Sequence, residues 1–254
     1  MPRKRLPDFI IGGAPRSGTT WLYHLLDRHP DICMANPVTP EPKFFLVDGL
    51  YERGIDYYSD KWFSDVPEGE ICGEKSANYL ESPVAAVRIH KHLPDVRLVF
   101  ILRNPVDRAF SNYLWSKMNG LEKEDFATAL DIEEKRELEL PGKLRYARPY
   151  AYFSRGLYAD LLEPYFSLFP REQILCIRFE DIIICPELLT ECLHEFLGVR
   201  PRPDDAKGLG VINMADDEDN ISMPEEIKER LYKVYEGPNQ RLAKLLGPGF
   251  ELWR

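Results

Sequence analysis

Gly13 and Gly18 have four residues between them and are followed by Thr19 and Thr20 in the run GGAPRSGTTW, residues 12–21. This is the spacing of a phosphate-binding loop, in which successive backbone N–H groups and a helix N-terminus hold an anion. ATP-binding loops carry a lysine after the second glycine to neutralise the β and γ phosphates, and here that position is Thr19. The loop's cation is instead Arg16. The combination suits a nucleotide with a shorter 5′ chain and no obligatory Mg²⁺. A second run, LRNPVDRAFSNY (residues 102–113), puts Arg103 at the end of an apolar segment and Ser111 about two helical turns later, on the side of Arg108. An arginine at the carboxyl end of a parallel strand faces the crevice where such sheets bind ligands, and a guanidinium with a hydroxyl suits a second phosphate. It can equally be the ion-pair partner of a neighbouring carboxylate.

The elements that must position these groups follow from periodicity. Phe9 to Ile11 reads as a short buried strand entering the loop, and residues 19–28 place Trp21, Leu22, Leu25 and Leu26 at helical spacing. Leu98 to Leu102 is a continuous apolar run suited to a central parallel strand covered on both faces. Asn104 and Pro105 read as an N-cap and a first helical position. A third strand is expected within residues 173–182, a helix over 186–197, and a last helix over 224–246 opened by Ser222, with Glu225 three residues on. Alternating strands and helices predict one α/β domain over residues 1–254, with a P-loop-containing central parallel β-sheet flanked by α-helices and right-handed crossovers. Residues 125–155 carry no strand signal, only a charged helix over 131–140 and the run LRYARPYAYFSRG. That insertion is a substrate lid or a plain surface excursion.

Composition bounds the function classes. A chain of 254 residues, 44% hydrophobic and 30% charged, can bury a sizeable core. Its net charge of −9 argues against non-specific nucleic-acid binding while leaving room for a local basic groove. The acidic run Asp216, Asp217, Glu218, Asp219 reads as a solvated loop. Five cysteines without a CxxC pair argue against a disulfide framework or a zinc site, and most are expected as small core residues. The five histidines show no metal spacing beyond His90 and His92, which read as an exposed helix end. The basic start MPRKR is followed by too short an apolar stretch for a signal peptide or membrane anchor, so a cytoplasmic protein with no membrane partner is expected.

Together the two phosphate motifs resemble the sulfotransferases that use 3′-phosphoadenosine 5′-phosphosulfate (PAPS). The runs EPKFF (41–45), GIDYY (54–58), GEKSANYLESP (73–83), RGLYADLLEPYFSLFPREQILCIRFEDI (155–182) and FLGV (196–199) are similar to the heparan sulfate branch of that family and its bacterial relatives. The resemblance implies that Arg16, Ser17, Gly18, Thr19 and Thr20 hold the 5′-phosphosulfate, which has no γ-phosphate for a lysine to grip. It implies that Arg103 and Ser111 bind the 3′-phosphate, that Glu41 is the general base, and that Lys75 lies against the transferring sulfuryl group. No metal is required. The expected reaction is in-line sulfuryl transfer to a hydroxyl of a carbohydrate or small molecule, with adenosine 3′,5′-bisphosphate as product. Sulfuryl transfer needs a hydroxyl to lose its proton and negative charge to be stabilised on the leaving phosphate.

Two departures from the branch matter. Arg16 replaces a loop lysine, and an arginine is a poor proton donor, so an electrostatic catalytic role is expected, leaving any acid role to Lys75. KGLGVINMADDEDN replaces a basic KGR loop, which leaves nucleotide closure unassigned. On the acceptor side Phe44, Tyr79 and Trp115, with Trp21 and Phe45, are candidate walls for a sugar, phenol or lipid alcohol, and each can equally be core. Lys143, Arg145, Arg148 and Arg155 could line a groove for a polyanionic glycan, and a small neutral acceptor fits as well. The competing readings are a P-loop nucleotide kinase, which should carry the Walker lysine, and a nucleotide-binding relative without catalysis.

Overall fold

The sequence places its chemistry at strand ends, so the order of strands decides which groups meet. The computed structural model describes residues 4–210 and 222–253, without the side chain of Lys143. The acidic run at 216–219 and most of the segment after Lys207 and Gly208 lie outside the described residues. Five strands, β1 (Phe9–Gly13), β2 (Ile32–Met34), β3 (Ile71–Lys75), β4 (Arg97–Leu102) and β5 (Ile174–Arg178), form one sheet in the order β2-β3-β1-β4-β5. Every pairing is parallel, with Ile11 beside Lys75 on one flank and Val99 on the other. From β1 the chain goes to one side for β2 and β3 and to the other for β4 and β5. The crevice beyond the carboxyl ends of β1, β3 and β4 is therefore the switch point where sheets of this kind bind ligands.

Alternation along the strands sends side chains into two cores. Leu98, Phe100 and Leu102 of β4 face one, and Val99 and Ile101 face the other. The second core is closed by α1 (Thr19–Leu26) and, late in the chain, by a helix at Pro186–Leu197 through Leu189, Leu193 and Leu197. The intervening helices are α2 (Asp48–Tyr51), α3 (Gly54–Trp62), α4 (Pro83–His92), α5 (Pro105–Met118), α6 (Phe126–Asp131), α7 (Glu133–Leu138), α8 (Tyr158–Leu168) and α9 (Asp181–Ile184). The Pro186–Leu197 helix is then α10, and Glu225–Leu246 is α11. Helices α4, α8 and the end of α11 cover the first core. Phe100, fully buried there with its ring 4.9 Å from that of Tyr165, is an anchor whose truncation to alanine should cost about 3–5 kcal/mol. Gly73 lets β3 cross the Phe9 ring, since a Cβ there would come within 2.2 Å of it.

Several expectations are corrected. The last helix begins at Glu225 with Pro224 as its cap residue, and the Ser222 side chain does not cap it. The charged helix expected over 131–140 is shorter, α7 over Glu133–Leu138, and a separate helix α6 precedes it, with Asp125 capping that one through the Thr128 N–H at 3.0 Å. Of the five cysteines only Cys72 is fully buried, Cys192 is exposed and the rest are partly exposed. Strands β2 and β3 add to the three read from sequence.

Candidate active site

The anion cradle is built by the turn from β1 into α1. Gly18 caps the helix at φ 91, in the left-handed region, and a Cβ there would meet Ile182 at 2.8 Å and the Phe179 ring at 2.9 Å. Both the backbone conformation and the space therefore call for glycine. The helix α1 opens directly after this turn, and its first-turn N–H groups have no partners within the helix. Ser17 is fully buried, and among the described residues its hydroxyl has no hydrogen-bond partner. A buried hydroxyl left unsatisfied in a nest of N–H donors fits an oxyanion.

Arg16, itself at φ 65, directs its Nε and Nη2 toward Ser111 Oγ on α5, each at 3.4 Å. Arg103, just past β4, reaches the Arg16 carbonyl with Nη1 at 3.5 Å and lies 4.7 Å over the Phe179 ring. These contacts are long, and neither guanidinium forms an ion pair among the described residues. Burial, then the charges of Arg103 and Arg108, push Arg16 down to about 10. Arg103 is also lowered, chiefly by burial, although Asp107 and Glu180 oppose the shift. Desolvated cations without a direct ion pair, around an unsatisfied hydroxyl, are what a phosphate-rich ligand would relieve. Arg108 is fully buried beside them and donates to the Tyr152 carbonyl, while its Nε and Nη1 have no hydrogen-bond partner among the described residues.

The second half of the site comes from β3 and the turn that carries Glu41. Lys75 ends β3 and is nearly buried, with Nζ 2.6 Å from Glu41 Oε1 and 3.5 Å from Thr20 Oγ1. Lys43 Nζ lies 3.7 Å from the other Glu41 oxygen. The carboxylate thus sits between two ammonium groups, one of which also reaches the first turn of α1. This arrangement sets a carboxylate and two ammonium groups beside the anion cradle.

Of the proposed acceptor walls, Phe44 and Tyr79 are buried at 1% and 0% exposure and belong to the core beneath the site. Phe44 stacks on Tyr58 at 4.6 Å, and the Tyr79 hydroxyl is engaged by Glu74 and the Phe45 N–H. Neither can line a crevice. Trp115 keeps an exposed face on α5, one turn beyond Ser111. Trp21 and Phe45 are also core. The basic groove is largely spent on internal contacts: Arg155 pairs with Glu81 at 2.6 Å with both side chains buried, Arg148 meets Glu137 at 3.3 Å, and Arg145 Nε donates to the Leu140 carbonyl.

Tyr146, which the sequence did not single out, sits 5.1 Å below Lys43 Nζ with more than a third of its surface exposed. It brings the insertion to the mouth of the site. The Tyr158 hydroxyl fixes the end of β4 by donating to the Arg103 carbonyl at 2.8 Å. Among the described residues there is no cluster of metal-ligand side chains and no helix long and apolar enough to cross a membrane.

Known proteins share this arrangement at the level of sequence and fold. The human bifunctional heparan sulfate N-deacetylase/N-sulfotransferase 3 is 32% identical over 204 residues, covering 78% of this chain and 23% of that protein. The chain therefore spans about a quarter of the length of that relative. Human heparan sulfate glucosamine 3-O-sulfotransferase 6 is 28% identical over 269 residues, covering 98% of this chain and 74% of its own. The crystal structure of a sulfotransferase from Alicyclobacillus acidocaldarius superposes with a TM-score of 0.79 at 29% identity, covering 98% of both chains. The family described as Sulfotransferase domain matches residues 6–209. That span takes in all five strands and each residue of the cradle and its carboxylate, and the chain belongs to the sulfotransferase domain family.

Proposed function

We propose that this chain transfers a sulfuryl group from PAPS to a hydroxyl of a small-molecule or glycan acceptor, with Glu41 as general base and no metal. The observation that carries the reading is the Lys75 ammonium, 2.6 Å from Glu41 and 3.5 Å from Thr20, which ties a proton acceptor to the anion cradle. PAPS, when bound, supplies a sulfuryl group on an activated phosphosulfate linkage. Ser17, Thr19, Thr20 and the first-turn N–H groups of α1 would hold its 5′ end, and Arg103 with Ser111 its 3′-phosphate. Arg16 lies between these two groups and would stabilise negative charge without giving up its proton. Glu41 takes the proton of the acceptor hydroxyl, and Lys75 stabilises charge at the transferring group.

The printed names of the heparan sulfate relatives suggest a glycan acceptor. The pairing of Arg148 with Glu137 and of Arg155 with Glu81 favours a neutral acceptor over a polyanion, with Tyr146 and Trp115 as its exposed apolar walls. Five free thiols and no disulfide suit a reducing compartment such as the cytoplasm. Glu41→Gln tests the reading. Transfer from labelled PAPS to an acceptor should fall by about 10²-fold or more, while the calorimetric Kd for adenosine 3′,5′-bisphosphate in EDTA stays near that of the wild type. Equal loss of both would make Glu41 structural, and normal nucleotide binding without transfer by the wild type to any acceptor would leave a binding module.

A further inference from the structure

Glu74 precedes Lys75 on β3, and its side chain points to the opposite face of the sheet, away from the crevice. It is fully buried and, among the described residues, has no cationic partner. Three hydroxyls surround it: Tyr58 OH donates to Oε1 at 2.6 Å, Tyr79 OH to Oε1 at 3.0 Å, and Ser76 Oγ to Oε2 at 2.7 Å. Two of these hydroxyls also accept a backbone N–H from the turn that carries Glu41. Lys43 N donates to Ser76 Oγ at 2.9 Å, and Phe45 N to Tyr79 OH at 3.3 Å. Lys43 itself is at φ 48, a conformation that a residue with a side chain keeps only when its surroundings hold it there.

We propose that Glu74 is the positioning residue for Glu41: its buried carboxylate orients two hydroxyl relays that fix the 43–45 turn, and the turn presents the base to the crevice. The inference rests on the reading of Glu41 as base. Its logic is the direction of hydrogen bonding. Above about pH 7 the carboxylate is ionised and only accepts, so both hydroxyls must turn their protons toward it and their lone pairs toward the backbone. A neutral amide of the same shape donates from one arm. The hydroxyl facing that arm must then turn its proton away and give up the N–H it held, or leave a donor unsatisfied. The carboxylate is retained although burial pushes it up to about 7, against the hydrogen bonds from Tyr58, Ser76 and Tyr79 that lower it. A space-filling role would be met equally well by glutamine.

The test is Glu74→Gln and, separately, Ser76→Ala, a smaller change that cuts one relay and decides the matter alone if the first variant does not fold. Steady-state transfer from PAPS and calorimetric binding of adenosine 3′,5′-bisphosphate are measured on each, beside Glu41→Gln. The expected result for Glu74→Gln is a fall in kcat of about tenfold or more, with the bisphosphate Kd and the KM for PAPS within about twofold of wild type, since a misplaced base costs chemistry and not binding. Ser76→Ala should show the same split with a smaller fall. Parallel loss of kcat and bisphosphate affinity would overturn the proposal in favour of a general structural role. Wild-type kcat in both variants, with Glu41→Gln inactive, would overturn it while the base assignment stands. Full turnover in Glu41→Gln would remove the base and the positioning role together.

Discussion

Replacing Glu74 with glutamine should change how stability depends on pH, by an amount the burial of the carboxylate sets. Desolvation is the main cause that raises its carboxyl from an ordinary 4.5 to about 7, with the charge of Glu41 adding a little. Between those values the folded protein holds a proton that the unfolded chain has released, so the contribution is fully present below pH 4.5 and lost as pH rises through about 7. Above that point the ionised, buried carboxylate costs about 3 kcal/mol relative to its unfolded state. The wild-type curve alone will hide the effect, because His194 titrates in the opposite sense. Burial, then the neighbouring His29, push His194 down to about 4, so stability is lost as pH falls from 6.5 toward that value. The informative quantity is the difference between wild type and Glu74→Gln, in which His194 cancels. Urea unfolding of both proteins at several pH values from about 4.5 to 8 should show the wild type losing about 3 kcal/mol relative to the variant as pH rises. Rearranged hydrogen bonds in the variant would offset the whole difference without changing its slope. A flat difference would refute the reasoning, since it would mean that the carboxylate is hydrated or paired.

Arg103→Ala should weaken binding of adenosine 3′,5′-bisphosphate far more than of adenosine 5′-phosphate, by about 1.5–3 kcal/mol for one charge-assisted contact. Calorimetry with both nucleotides decides it, and equal losses would show that Arg103 does not read the 3′-phosphate. Gly18→Ala should destabilise the fold by about 1–3 kcal/mol, because the new Cβ must adopt φ 91 and push aside Phe179 and Ile182. The bisphosphate should also bind more weakly, and a variant with unchanged melting temperature and affinity would show that the cradle adapts.

Local signals made about half of this fold legible. The strand, glycine turn and helix from Phe9 to Leu26 announce themselves within eighteen residues, and Asn104 caps α5 through the Val106 N–H as its type and the following proline predict. Helix α10 lies where its periodicity placed it. Strand β3 did not show, because a central strand reading ICGEK breaks the rule of a continuous apolar run. Its glutamate is tolerated only because tyrosines at 58 and 79, distant from it in sequence or on a different element, bring hydroxyls to it. The same distance effect misled the acceptor walls. Phe44 and Tyr79 flank Glu41 and Lys75 in sequence, yet they turn inward to build the floor that holds the turn. Tyr146 reaches Lys43 from a stretch more than a hundred residues away, and nothing in its neighbours marks it.

The arginine at position 16 is a smaller departure from lysine chemistry than its residue type suggests. Burial beside Arg103 and Arg108 brings its acidity to about 10, within the range of an ordinary lysine. An anion bound between Arg16 and Arg103 would reverse the Coulombic part of that shift and hold the proton more tightly. The proposed function then gives Arg16 an electrostatic role and leaves any proton donation to Lys75. Lys75 Nζ touches both Glu41 and Thr20, so a proton given to the leaving side and a proton taken from the acceptor side would pass through adjacent atoms of one ion pair. If Glu74 holds Glu41 from beneath as proposed, the position of Glu41 sets the geometry of both transfers.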